Sequence, residues 1–124
     1  MNHTVLLALA AVLTASGGLH AHHNSAALYD GEHPITLTGA VTEFRLINPH
    51  SRIRFDVKDE QGNVINWEVE WGPPSNLYRR GWRTDSLKPG DQITVTGAPA
   101  KDGSKKVDLL KLVAPDGRIV EQLP

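Results

Sequence analysis

The sequence predicts an all-β fold, a small five-stranded barrel with one short helix between strands 3 and 4, and three observations predict it. Five segments alternate apolar with polar or small residues at a period of two. Glycine, proline and asparagine turn signals separate those segments at short intervals. A single Pro73-Pro74 break follows the third segment and opens the one helix expected in the folded domain.

The first strand starts after Pro34. Ile35-Thr36-Leu37-Thr38-Gly39-Ala40-Val41-Thr42 is rich in β-branched residues, and the pattern runs on through Phe44 to Ile47. Gly39 within it predicts a bulge or tight bend, which lets one long strand serve both halves of a small barrel. Asn48-Pro49-His50-Ser51 reads as a turn, because Pro49 has no N–H to donate to a ladder. In the second strand Ile53, Phe55 and Val57 face one way, and Arg52, Arg54, Asp56 and Lys58 the other. Glu60-Gln61-Gly62-Asn63 turns the chain into a third strand, where Ile65, Trp67, Val69 and Trp71 alternate with Asn66, Glu68 and Glu70. Ser75 is the expected N-cap of a helix over residues 76–82. Leu87-Lys88-Pro89-Gly90-Asp91 leads to a fourth strand at 92–96, and Lys101-Asp102-Gly103-Ser104 to a fifth at 107–113. Pro115-Asp116-Gly117 precedes a short final extension. Three strands, one helix and two strands is the order of the OB-like barrel, in which the helix plugs one end. A plain β-sandwich is the alternative.

Ahead of the barrel, residues 5–13 (VLLALAAVL) form an apolar run followed by the small-residue stretch Thr14-Ala15-Ser16-Gly17-Gly18-Leu19-His20-Ala21, the order of a secretory signal peptide. The run is too short to span a bilayer. Met1-Asn2-His3-Thr4 departs from the usual basic start. Cleavage after Ala21 is the expected cut, with Gly17 or Gly18 as rival sites and an uncleaved anchor as the remaining alternative. The organisation is then a signal peptide at residues 1–21, a segment bearing a histidine pair at 22–34 and the barrel at 35–124. The chain has no cysteine, so it forms no disulfide, performs no thiol redox chemistry and takes no lipid on an N-terminal cysteine. A periplasmic or secreted protein with no stable membrane anchor is the expectation.

Thirteen Lys and Arg against 14 Asp and Glu leave a net charge of −1, which gives no long-range field for nucleic acid, and none is expected as a partner. Of six histidines, the expected cut removes His3 and His20 and leaves His22, His23, His33 and His50. A first-residue His22 carries two nitrogens, the α-amine and ring Nδ1, that chelate one cation together. A third from His23 or His50 completes a T-shaped or square-planar nitrogen set that suits Cu(II) better than tetrahedral Zn(II). That is a histidine brace, and it makes His22, His23 and His50 the candidate metal ligands and copper the candidate ion. The competing reading is a solvated His-His terminus and a His50 that only bonds its own turn. His33, between Glu32 and Pro34, is expected on the surface.

Arg45, Arg52, Arg54, Arg79, Arg80 and Arg83 crowd the middle third, with Arg118 outside it. An anion site is conceivable there, but Arg52 and Arg54 stand opposite Glu68 and Glu70, the pattern of ordinary cross-strand pairs. The same pairing makes those two glutamates poor candidates for an acid–base dyad. Trp67, Trp71 and Trp82, with Phe44 and Tyr78, offer a stacking platform, yet the period of two assigns Trp67 and Trp71 to the core. No phosphate loop, nucleophile elbow or metalloprotease helix is present, and the protein is not expected to be an enzyme.

The motifs His22-His23-Asn24-Ser25, Ile47-Asn48-Pro49-His50-Ser51, Asn66-Trp67, Trp71-Gly72-Pro73 and Arg79-Arg80-Gly81-Trp82, followed by Ser86-Leu87-Lys88-Pro89-Gly90-Asp91, resemble a widespread family of small exported bacterial proteins known only as a domain of unknown function. The resemblance spans the chain from His22 onward and implies export and an OB-like barrel. The family shows His-His-Ser where this chain has His22-His23-Asn24, and a bulky residue where it has Arg52. The functional expectation is a periplasmic metal-binding protein, a copper carrier or buffer. The alternative is a non-metal module of the cell envelope that holds a small ligand or another envelope protein.

Overall fold

The computed structural model describes residues 25–122. Alternation is clearest in β2 (Arg52–Lys58), where Ile53, Phe55 and Val57 are buried while Arg52, Arg54 and Lys58 are exposed. Around it run β1 (Ile35–Arg45), β3 (Val64–Glu70), β4 (Gln92–Pro99), β5 (Lys106–Val113) and a short β6 (Ile119–Glu121). The sheet order is β3-β2-β1-β4-β5-β6, and a parallel pairing of β3 with β5 closes the first five strands into a barrel. This is the OB-type arrangement, with α2 (Pro74–Arg79) between β3 and β4.

The long first strand serves both halves, pairing with β4 over residues 35–40 and with β2 over 40–45. Gly39 sits at the changeover because a Cβ there would collide with the Asp56 carbonyl oxygen. The bulge itself falls three residues later, at Thr42, where the register against β2 shifts between Val41 and Glu43.

The core is filled by Val41, Ile53, Phe55, Val69, Ile93, Val95, Val107, Leu109 and Leu112, each at most 1% exposed. Trp71 and Trp82 meet edge to face at 4.8 Å near Phe44. Trp67 differs from its expected core role. It is half-buried at the edge of the cluster, with the Lys105 ammonium 5.2 Å over its ring.

The helix also departs from expectation. Pro73, extended at φ −65 and ψ 151, is the N-cap, and Pro74 occupies the first helical position, so Ser75 lies inside the first turn and makes no cap hydrogen bond. The C-terminus closes early because Gly81 adopts φ 85. Gly81 N–H donates to the Tyr78 carbonyl and Trp82 N–H to the Leu77 carbonyl, a Schellman motif that buries Trp82 against Leu77.

A four-residue helix, α1 (Ser25–Leu28), was not anticipated. It has no buried face of its own, and the barrel holds it from outside. Tyr29 forms a bridge to Ala100, Asp30 N–H donates to the Pro99 carbonyl, Lys101 N–H to the Leu28 carbonyl, and Lys101 Nζ to the Ala26 carbonyl at 2.6 Å. Among the described residues no helix is long and apolar enough to cross a membrane.

Candidate metal centre

His50 ends the turn before β2, after a cis Asn48–Pro49 bond. The next residue fixes it to β3: Ser51 N–H donates to the Gly72 carbonyl and Trp71 N–H to the Ser51 carbonyl. That extension of the β2–β3 ladder brings the His50 ring to the end of β3, where Nδ1 lies 3.6 Å from Glu70 Oε2. Both side chains are about one-third exposed, at 33% and 29%.

Three further side chains gather at the seam where β3 meets β5. Tyr29, 7% exposed, has its phenol beside the Glu70 carboxylate. Burial, and then the Glu70 charge, push that phenol well above its ordinary pKa. Asp108 stands opposite Glu70 in the parallel register. Its carboxyl is raised from the ordinary value by burial first and the Glu70 charge second, with His50 acting against them. The Ser25 side chain stands near Asp108 and acts in the lowering direction. An open cavity of about 400 Å³ borders Tyr29 and Glu70, so the group is reached by solvent.

The expected cross-strand pairs form only in part. In register Arg52 stands opposite Glu70 and Arg54 opposite Glu68. Arg54 bonds Glu68 at 3.1 Å, and Lys106 approaches the same carboxylate at 3.6 Å. Among the described residues Arg52 forms no ion pair, and Glu70 turns instead to His50 and Tyr29.

Of the candidate ligands, His50 is positioned at this seam, while His22 and His23 lie outside the described residues. Among the described residues no group of three or more His, Cys, Asp or Glu side chains has the arrangement of a metal site. His33 is exposed, as expected, with Nδ1 2.9 Å from Asp30 Oδ2. Sequence reasoning did not single out Tyr29 or Asp108 and read Glu70 only as one of the two glutamates opposite Arg52 and Arg54. The signal that could have found them is topological, because OB order brings β3 beside β5. At a different place, beside α2, Trp71, Pro73, Leu77, Arg79, Arg80 and Gln122 line a cavity of about 470 Å³.

Fold and site together define an OB-type barrel with a histidine–carboxylate–tyrosine group at its closing seam. The chain belongs to DUF6152, a family of unknown function whose model matches residues 9–108. No curated protein matches its sequence. Among solved structures it is similar to apo TiaS, a tRNA agmatidine synthetase, at 20% identity and a TM-score of 0.44, covering 66% of this chain and 18% of that one. The complex of TiaS with tRNA and ATP gives 21% identity and 0.45, covering 77% and 20%. The chain thus spans about a fifth of those proteins' length.

Proposed function

We propose that the protein is an exported copper-binding protein, a carrier or buffer of the periplasm, whose mature first residue is His22. The His22 amine and imidazole supply two nitrogens and His50 or His23 the third, a set that suits Cu(II). An α-amine with a pKa near 8 gives up its proton readily to a competing metal.

The observation that carries this reading is the anchorage of the segment that follows the histidine pair. Residues 26–30 are tied to the end of β4 and the loop after it, and the cavity they line also borders Glu70, the neighbour of His50.

The test is a Cu(II) titration of the protein starting at His22 against the same protein with one extra N-terminal residue. The extension blocks the chelating amine, and affinity is expected to fall by more than the roughly 10–100-fold that losing an outer-shell partner costs. Equal affinity overturns the brace. An intact mass of the exported protein is expected to start at His22.

The cavity beside α2 favours a second reading, a non-metal module in which Arg79 and Arg80 hold an anionic ligand or an envelope protein. Replacing His22, His23 and His50 together separates the two, because this reading leaves function intact.

A further inference from the structure

We infer that the cavity between α2 and the end of β6 binds a small organic acid, its carboxylate held by the Arg80 guanidinium and its apolar body lying against Trp71, Pro73 and Leu77. The inference rests on the second reading above, narrows it to one class of ligand and does not depend on copper.

The cavity has a topological origin. One edge of β5 is shared, since β3 pairs with its residues 106–108 and β6 with its residues 111–113. Where one neighbour gives way to the other, the chain leaves β3 through Trp71-Gly72-Pro73 into α2, and Gln122 N–H, just past β6, donates to the Leu110 carbonyl. Both ends line the cavity, whose volume of about 470 Å³ is that of a small-molecule site.

Its charge is one-sided. Arg79 and Arg80 border it and no acidic side chain does, on a chain whose net charge is −1. Elsewhere the charges balance: the cavity beside Tyr29 sets Lys101 and Lys106 against Glu70 and Asp102, and the one beside Gly39 sets Lys58 against Asp56. Arg79 donates to the side-chain oxygen of Asn76. Arg80 is exposed, and its guanidinium has no ion pair or hydrogen bond among the described residues. Glu121, which borders a second cavity together with Arg80, is paired with Lys111 at 3.4 Å.

This lining selects the ligand. A planar guanidinium matches a carboxylate through two parallel hydrogen bonds. With its oxygen taken by Arg79, Asn76 has its amide nitrogen left as a further donor. An inorganic anion has no use for the apolar wall of Trp71, Pro73 and Leu77, and a neutral apolar ligand leaves both arginines without an acceptor.

Benzoate is the probe, with benzamide as its uncharged counterpart and inorganic phosphate as an anion without an apolar body. In ¹H–¹⁵N spectra of the full protein, benzoate is expected to shift the amides of Gly72, Arg80, Gly81 and Gln122 saturably, and benzamide and phosphate to bind about tenfold more weakly or worse. Arg80→Ala, whose side chain has no partner to lose, is expected to lower benzoate affinity about tenfold or more, and Arg80→Lys to recover part of the loss. Lys58→Ala, which removes one positive charge at another cavity, is expected to change nothing. Shifts that do not saturate, an unchanged affinity in Arg80→Ala, an equal loss in Lys58→Ala, or benzamide binding as tightly as benzoate each overturn the proposal. Phosphate as tight as benzoate overturns the organic-acid assignment and leaves the anionic form of the second reading standing, which the triple histidine replacement judges separately. Binding that appears only once residues 123–124 are removed shows that those residues occupy the cavity themselves, and it too overturns the proposal.

Discussion

Ser51 is completely buried, and its hydroxyl has no hydrogen-bond partner among the described residues. A buried polar atom without a partner forfeits its hydration, at roughly 1–3 kcal/mol. What Ser51 does for the molecule is done by its backbone, which bonds Trp71 and Gly72 and thereby holds His50 at the end of β3. Ser51→Ala keeps those bonds and discards the orphaned hydroxyl. It is expected to be neutral or to stabilise by up to about 1 kcal/mol in urea unfolding, and a loss of more than that shows that the hydroxyl has a partner. His50 was legible from the sequence because an Asn-Pro-His-Ser turn announces itself through Pro49. Glu70, Tyr29 and Asp108 were not, because each is an ordinary residue locally: Glu70 meets His50 through the extended β2–β3 ladder, Asp108 meets Glu70 through the β3–β5 register, and Tyr29 is brought in by its bridge to Ala100.

Elements were readable where one force dominated. In β2 the alternation of apolar and charged residues set both its limits and its faces, which match residues 52–58. The helix was displaced because two start signals competed, and Pro74 at the first helical position prevailed over a serine cap at position 75. Its early end follows from Gly81, whose left-handed backbone reverses the chain before Trp82. The hairpin between β2 and β3 is held by Asp59, whose carboxylate accepts from the N–H groups of Gln61 and Asn63 and from the Asn63 side chain. The Asn63 side chain first, with those N–H groups, holds the Asp59 carboxyl below its ordinary value. A lowered folded pKa means that the contribution is present above the unfolded value, near about 4, and disappears as pH falls through the folded one. Asp59→Ala is therefore expected to lower the melting temperature at pH 7, with the gap to the parent closing under strong acid. A gap that stays constant across that range shows that the turn does not depend on the charge.

At the scale of the whole molecule, closure depends on β1 belonging to two neighbours at once, and Gly39 is the point where they crowd it. Gly39→Ala forces a methyl group against the backbone of Asp56. It is expected to cost at least about 1–3 kcal/mol, the usual penalty of overpacking, read as an earlier urea midpoint. An unchanged midpoint shows that the barrel yields there freely. Barrel order was foreseeable from three strands, a helix and two strands, whereas α1 was not, since its four residues carry no periodicity and are held by contacts from elsewhere. The bridge from Tyr29 to Ala100 has a kinetic side as well. Asp30 and Lys101 donate the backbone bonds on either side of that rung, so their amides are expected to exchange only when it opens. Equal exchange rates for those two amides in deuterated water are the expected result, and rates that differ widely show that the two bonds open separately.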